Sequence, residues 1–263
     1  MLATDSKLPT ISGAEKRRYV QGIFTAIAPR YDFLNHLLSL NIDRQWRRQA
    51  VDQLGWERRP EGRYLDLCAG TLDLAAELAT RAGFRGTVIG ADFVKPMLER
   101  GRGKAARVWP LNADALEMPL PDASVDGATV GFGVRNLADL DAGLAEAARV
   151  LRPGARFVIL EFSTPPRQPW RGLYFLYFKR VLPGVGRLLS KHTSAYRYLP
   201  ESVLAFPGPE ELATRMGRQG FQDVSYRLML GGICAIHVGT RASWPSTICA
   251  NSWRPSRRSA SWS

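Results

Sequence analysis

The sequence predicts an α/β protein whose sheet is mostly parallel and covered by helices on both faces. Three observations predict it. Between about residues 63 and 162, short apolar runs alternate with amphipathic segments, the pattern left by strands joined through crossover helices. Glycines and polar residues stand at the carboxyl ends of successive predicted strands, where open α/β sheets bind ligands. Hydrophobic residues make up 45% of the 263 positions, enough for a full core.

The elements follow in order. Residues 1–13 are polar and are expected to be flexible. From Ala14 to about Trp56 the pattern is helical, with a break near Pro29. Residues 63–67 read as a buried strand, 73–81 as a helix and 86–91 as a second strand. A helix over 95–105 is weakened by Gly101 and Gly103. Strands at 108–112 and 125–132, an Ala- and Leu-rich amphipathic helix at 139–151 and a strand at 155–162 complete the alternating part. Residues 164–207 leave that rhythm, being aromatic, basic and broken by Pro165, Pro166, Pro169, Pro183, Pro200 and Pro207. They read as an insertion covering the carboxyl edge of the sheet. A helix over 209–219 and a strand pair over 221–230 and 232–239 bring the strands to seven. The expected domain is therefore 14–239. Residues 240–263, rich in Ser, Arg and Trp, read as a disordered basic tail.

The formal net charge of +12 points to an anionic partner such as nucleic acid, an anionic membrane surface or a phosphorylated substrate. Four arginines of the tail supply +4 of it with no acid among them. Cys68, Cys234 and Cys249 are far apart and odd in number. This argues against a disulfide framework or a zinc site and for a reducing compartment. No metal site is expected. The amino terminus lacks the apolar stretch of a signal peptide, and no apolar run reaches the ~18 residues of a membrane span. The expectation is a cytoplasmic protein.

The chemistry begins at Tyr64-Leu-Asp66-Leu-Cys-Ala-Gly70-Thr71-Leu-Asp73, which ends a strand and opens a helix. Gly70 permits close backbone approach to a ligand, and a helix amino end favours a carboxylate. An ordinary strand-to-helix turn is the plainer reading of the same residues. Asp92, 22 residues after Gly70, ends the second strand. An acid there can accept hydrogen bonds from both ribose hydroxyls, or it can cap the next helix. Asn112-Ala113-Asp114 stands at the tip of the third strand, where an adenine would lie. Three polar strand tips in succession make a nucleoside-shaped, Rossmann-like site. The turn does not fit the G-x-G-x-x-G that admits a pyrophosphate. S-adenosyl-L-methionine has no phosphate and needs one close backbone approach plus an acid for its sulfonium-amino-acid end, for which Asp66 is the candidate.

Several segments then carry a resemblance. Tyr31-Asp-Phe-Leu-Asn35-His-Leu-Leu-Ser39 with Trp46-Arg-Arg resembles one signature of the menaquinone/ubiquinone biosynthesis C-methyltransferase family. The run from Arg149 through Glu161-Phe-Ser163 resembles the other. Gly131-Phe-Gly-Val-Arg135-Asn136, Ala195-Tyr-Arg-Tyr-Leu-Pro-Glu-Ser202, Phe206-Pro and Gly231-Gly-Ile-Cys-Ala-Ile-His237 fall in the family's order, so that the likeness spans about residues 19–239. The resemblance implies class I methyltransferase architecture and a polyprenylated hydroquinone substrate. It implies that Thr71, Asp92 and Asn112-Ala113 hold the cofactor. Two positions depart from the family's pattern in the cofactor site. Leu72 replaces the second Gly of Gly-Thr-Gly-Asp, and Gly131 stands where Ser or Ala is common. Both bear on cofactor affinity rather than on fold.

For the reaction, the cofactor carries the hard chemistry and the protein must align a ring carbon and favour the hydroquinone anion. Arg135 is the candidate phenolate stabiliser; the alternative is an arginine that ties its loop to a carboxylate. Tyr196 and Tyr198 line the ring pocket or donate to an oxygen, or else simply pack. His192 is a weaker candidate base. The segment 170–183 mixes aromatics with Arg171, Lys179 and Arg180. It reads either as a packed helix with snorkelling cations or as a helix that meets an anionic lipid surface at the inner face of the membrane. A nucleic-acid methyltransferase is disfavoured because the fourth strand tip lacks a Pro-Pro-Tyr type motif for stacking a base. A cofactor-binding module without turnover is the rival from another class. Naphthoquinol and benzoquinol substrates are not distinguished, and oligomeric state is left open.

Overall fold

The computed structural model describes residues 13–31, 39, 41–176 and 193–243. A seven-stranded sheet runs in the order β3-β2-β1-β4-β5-β7-β6. Its strands are β1 Arg63–Leu67, β2 Thr87–Asp92, β3 Val108–Asn112, β4 Val125–Gly131, β5 Leu151–Phe162, β6 Phe221–Met229 and β7 Cys234–Arg241. The first five are mutually parallel, and β7 runs antiparallel to both β5 and β6. The chain winds outward from β1 through β2 to β3, then crosses back to β4 beside β1. That reversal opens a crevice at the carboxyl ends of β1 and β4.

The described helices are α1 Gly13–Ile27, α2 Ile42–Leu54, α3 Asp73–Ala79, α4 Lys95–Gly101, α5 Leu140–Val150, α6 Trp170–Leu176, α7 Thr193–Ala205 and α8 Pro209–Arg218. Alternation along the strands explains the two-sided core. Leu65 and Leu67 of β1 face a layer containing Leu144 and Ala147 of α5 with Leu212 and Met216 of α8. Tyr64, on the opposite face, packs with Ala50 and Leu54 of α2 and Leu74 and Leu78 of α3. A smaller cluster joins Val20 and Ile23 of α1 to Tyr198 of α7, and Phe93 packs against it. The amino-terminal helix and the insertion thus meet above the crevice.

Most boundaries lie within a few residues of those read from the sequence. The helix expected over 95–105 ends at Gly101, and the strand expected from 155 starts at Leu151. Leu151 pairs with Val125 across a register shift that absorbs Pro153 and Gly154, residues that look like a turn. The final strand runs to Arg241, past the tail boundary expected at Thr240, because Arg241 still pairs with Phe221 and the Ala242 N–H donates to the Gly220 carbonyl. The rest of the expected tail, 244–263, and residues 1–12, 177–192 and most of the Tyr31–Ser39 signature lie outside the described residues.

Candidate active site

The carboxyl ends of β1 to β4 surround an open cleft, the place where open α/β sheets bind small molecules. Gly70 follows β1, Asp92 ends β2, Ala113 and Asp114 follow β3, and Gly131 ends β4; all five line it. At Gly70 the backbone has φ +51, and an added Cβ would lie 3.5 Å from the Met97 methyl and 4.0 Å from the Tyr31 ring, facing the cleft. The position therefore gives backbone approach that a larger residue would restrict.

Asp92 is only 8% exposed. Its Oδ2 accepts from the Gly70 N–H at 2.8 Å and its Oδ1 from the Val94 N–H at 2.8 Å. The acid thus fixes the turn that leads into α4 and also the β1 turn. It still borders the cleft, where each carboxylate oxygen has capacity for a second donor. Burial raises its pKa, and the two backbone hydrogen bonds pull it back. Asp114 anchors its own loop by accepting from the Leu116 N–H at 3.0 Å, and it pairs with Arg17 of α1 at 3.0 Å.

Other residues expected in the site are placed elsewhere. Asp66 is 1% exposed and is absent from the cleft wall. It shares the strand face of Tyr64, so its carboxylate enters the layer of α2 and α3. There it accepts from the Ala75 N–H and the Thr129 hydroxyl, both at 3.0 Å. Burial pushes its pKa up to about 7, opposed by those hydrogen bonds and by the Arg47 charge. Its position corrects the role at the amino-acid end: it caps α3 from behind the turn. Thr71 is buried and does not line the cleft. Asn112 is exposed, and its amide donates to the Asp92 carbonyl at 2.9 Å, tying two strand tips together.

Leu72 adopts φ +65, ψ +21 as the residue before α3, yet is 1% exposed. Its side chain turns away from the cleft into the α2–α3 core. Gly90 and Gly101 make room for it. A Cβ on Gly90 would lie 2.3 Å from a Leu72 methyl; one on Gly101 would lie 2.3 Å from the Thr71 carbonyl oxygen and 2.8 Å from Leu72 Cγ. Gly101, which weakens the helix prediction, is what lets α4 pack on the turn after β1.

Arg135 follows the second of its two readings. It is 8% exposed and outside the cleft wall, and Nη1 meets Glu161 Oε1 at 2.8 Å and also donates to the Phe132 carbonyl. Glu161 is 1% exposed; burial raises its pKa and Arg135 lowers it. Tyr198 is buried and donates to Asn136 Oδ1 at 2.9 Å, and Asn136 lines the cleft beside Phe132 and Gly133. Burial raises the Tyr198 pKa to about 12, so the phenol is neutral and serves as a donor. Tyr196 falls on α7 with its side chain outside those described, and His192 lies outside the described residues. Reading the sequence also missed Arg17, Val20 and Phe24, which reach the cleft from α1, and Asn136. Nothing in an amphipathic amino-terminal helix tells which polar residue will cross to a strand tip 97 positions away. Asn136 stood within a quoted motif without a role.

Comparison with known proteins agrees with this geometry. The model of the ubiE/COQ5 methyltransferase family matches residues 12–241. A demethylmenaquinone methyltransferase of Thermus thermophilus is 51% identical over 223 residues, 83% of this chain and 100% of the relative. Another from Deinococcus radiodurans is 45% identical over 91% of this chain and 100% of the relative. A ubiquinone/menaquinone biosynthesis C-methyltransferase of Geobacter sulfurreducens is 42% identical over 90% and 94%. A SAM-dependent methyltransferase structure from Thermotoga maritima superposes with a TM-score of 0.60 at 20% identity, covering 84% of this chain and 99% of that one. At that identity it bears on the fold alone.

Proposed function

The chain belongs to the ubiE/COQ5 methyltransferase family, and from that premise we propose that it methylates demethylmenaquinol at a ring carbon. It is an S-adenosyl-L-methionine-dependent C-methyltransferase of quinone biosynthesis, with a polyprenyl quinol as substrate. The naphthoquinol is preferred over the benzoquinol because relatives at 51% and 45% identity carry the menaquinone activity alone in their names. The observation that carries the cofactor reading is the pairing of a glycine turn with a buried acid at adjoining strand tips, Gly70 and Asp92, on one cleft. These residues suit a nucleoside bearing an amino acid.

When bound, S-adenosyl-L-methionine supplies an electrophilic methyl group on a sulfonium. In this reading Asp92 accepts from the ribose hydroxyls, Gly70 admits the amino-acid end, and Ala113 and Asp114 border the adenine. Gly131 lines the cleft where β4 ends, and a Cβ there would press on a Leu74 methyl of α3 at 3.2 Å. On the substrate side, Phe132, Gly133 and Asn136 form the wall, with the Asn136 amide oriented by Tyr198. Arg135 and Glu161 neutralise one another behind that wall and fix the loop that presents Asn136. Orientation of the ring against that wall is the protein's main contribution. The lipid tail and the basic body support peripheral contact with an anionic membrane surface. Among the described residues, no helix is long and apolar enough to cross a membrane.

A methylation assay on the purified protein tests the reading. Demethylmenaquinol and the benzoquinol precursor are offered in parallel with labelled cofactor. Label appearing mainly in the naphthoquinol supports it. Cofactor binding without transfer to either quinol would favour a binding module instead.

A further inference from the structure

The residues that hold α1 over the cleft have no part in the chemistry described so far. Arg17 Nη1 pairs with Asp114 Oδ2 at 3.0 Å, beyond β3. Its guanidinium carbon also stands 6.0 Å from the centre of the Phe93 ring, beyond β2. One residue earlier, Lys16 Nζ donates to the Leu137 carbonyl at 2.5 Å and to the Arg135 carbonyl at 3.3 Å, beyond β4. Two neighbouring cations on one helix therefore tie down the loops of three strand tips. Below them Val20 and Phe24 form part of the cleft wall itself. Tyr19 packs edge-on against Tyr198 of α7, with ring centres 5.8 Å apart. We propose that Lys16 and Arg17 latch α1 across the cofactor cleft, and that release of this latch sets how fast cofactor and its demethylated product exchange. The proposal rests on the cofactor reading above.

Two further observations fit a helix built to open. Its outward side is solvated: Arg18, Gln21, Gly22, Thr25 and Ala26 are all exposed. Gly22 sits in mid-helix, where glycine is the least favourable residue after proline, and a Cβ there would meet nothing within 4 Å. Packing therefore gives no reason for that glycine, and its effect is to weaken the helix locally. Segments that open locally are drawn from such weakly held elements. The Arg17 side chain is 51% exposed, so its pair with Asp114 is screened by salt and easily broken. Carbonyl anchors, an ion pair and a cation–ring contact, each modest, act together only while α1 is seated. Lid opening and product release limit turnover in many enzymes, and a latch of this strength suits repeated exchange.

Stopped-flow measurement of cofactor and S-adenosylhomocysteine dissociation from the full chain tests this, at about 20 mM and about 500 mM salt. Wild-type release should accelerate with salt. Arg17→Met keeps the packing but removes the charge; it should speed release about threefold at low salt and lose most of the salt effect. Lys16→Met combined with it should reach about tenfold, with association rates little changed. Gly22→Ala touches neither ligand nor latch, fills open space and should slow release about threefold by stiffening α1. Release from all three variants within about 1.5-fold of wild type would overturn the latch while leaving the cofactor reading intact. A wild-type chain that binds no cofactor would instead overturn the reading on which the latch depends.

Discussion

Asp92 and Arg135 show how one side chain serves two ends at the level of single residues. Asp92 satisfies the Gly70 and Val94 N–H groups while bordering the cleft. Asp92→Ala should therefore abolish cofactor binding and also destabilise the fold by about 1–3 kcal/mol for each buried donor left unpaired. Asp92→Asn, which still offers one acceptor, should lose less stability. Calorimetric titration with S-adenosyl-L-methionine and urea unfolding read the two effects, and wild-type affinity in the alanine variant would remove Asp92 from the ribose site. Arg135 is more costly to touch. Removing it strands the Glu161 carboxylate, 1% exposed, without its counter-charge. Arg135→Ala should cost about 3–5 kcal/mol, whereas replacing both partners with Met should be much milder. If Arg135→Ala unfolds at the wild-type urea midpoint while turnover falls, the guanidinium acts on the substrate and not on Glu161.

The packing of α3 and α4 on the sheet depends on Leu72 at the level of elements. Its left-handed conformation is one that leucine adopts at a cost of about 1–3 kcal/mol. Its side chain offsets this by filling the space left by Gly90 and Gly101. Two substitutions separate these contributions. Leu72→Ala keeps the strained φ and opens a cavity, so it should destabilise by about 2–5 kcal/mol. Leu72→Gly opens the same cavity but relieves the strain, and it should be less damaging by about 1 kcal/mol. Neither should tighten cofactor binding, since Leu72 points away from the cleft. Thermal unfolding gives the order of stabilities; tighter binding by the glycine variant would mean that the leucine does intrude on the ligand.

Stability as a function of pH reports on the whole molecule. Asp66 has its pKa pushed up to about 7 by burial, from an ordinary value of 3.8. Below about 4 both folded and unfolded chains hold the proton, and its favourable contribution is complete. Between about 4 and 7 the unfolded chain has lost the proton while the folded one keeps it, so stability falls as pH rises. Above about 7 the contribution is gone. Asp126 and Glu146, whose pKa values are lowered, lose stability in the opposite direction as pH falls. The difference between wild type and Asp66→Asn isolates the buried acid, because Asn can still accept from the Ala75 N–H and donate to the Thr129 oxygen. Relative to wild type the variant should gain stability from pH 5 to pH 8. A difference that stays flat across urea midpoints at pH 5, 6, 7 and 8 would show that Asp66 is ionised in the folded protein throughout.

The sheet, the order of its elements and the strand tips that surround the cleft are all legible in the sequence. Those follow from local periodicity and from Gly70, Asp92 and Asp114 standing at strand ends, and all three line the cleft. What the tertiary structure alone decided was the direction each side chain takes. Asp66 and Asp92 are both acids near strand ends, but the parity of β1 sends Asp66 into a helix layer, whereas Asp92 reaches the cleft. Leu72 looks like an obstruction until Gly90 and Gly101, 18 and 29 positions later, are seen to enclose it. Arg135 finds Glu161 26 residues away, and Arg17 finds Asp114 97 positions later. Periodicity is a local property, so it fixes which face a strand or helix buries. Pairing between distant polar groups depends on how the layers stack, which no stretch of the chain carries alone.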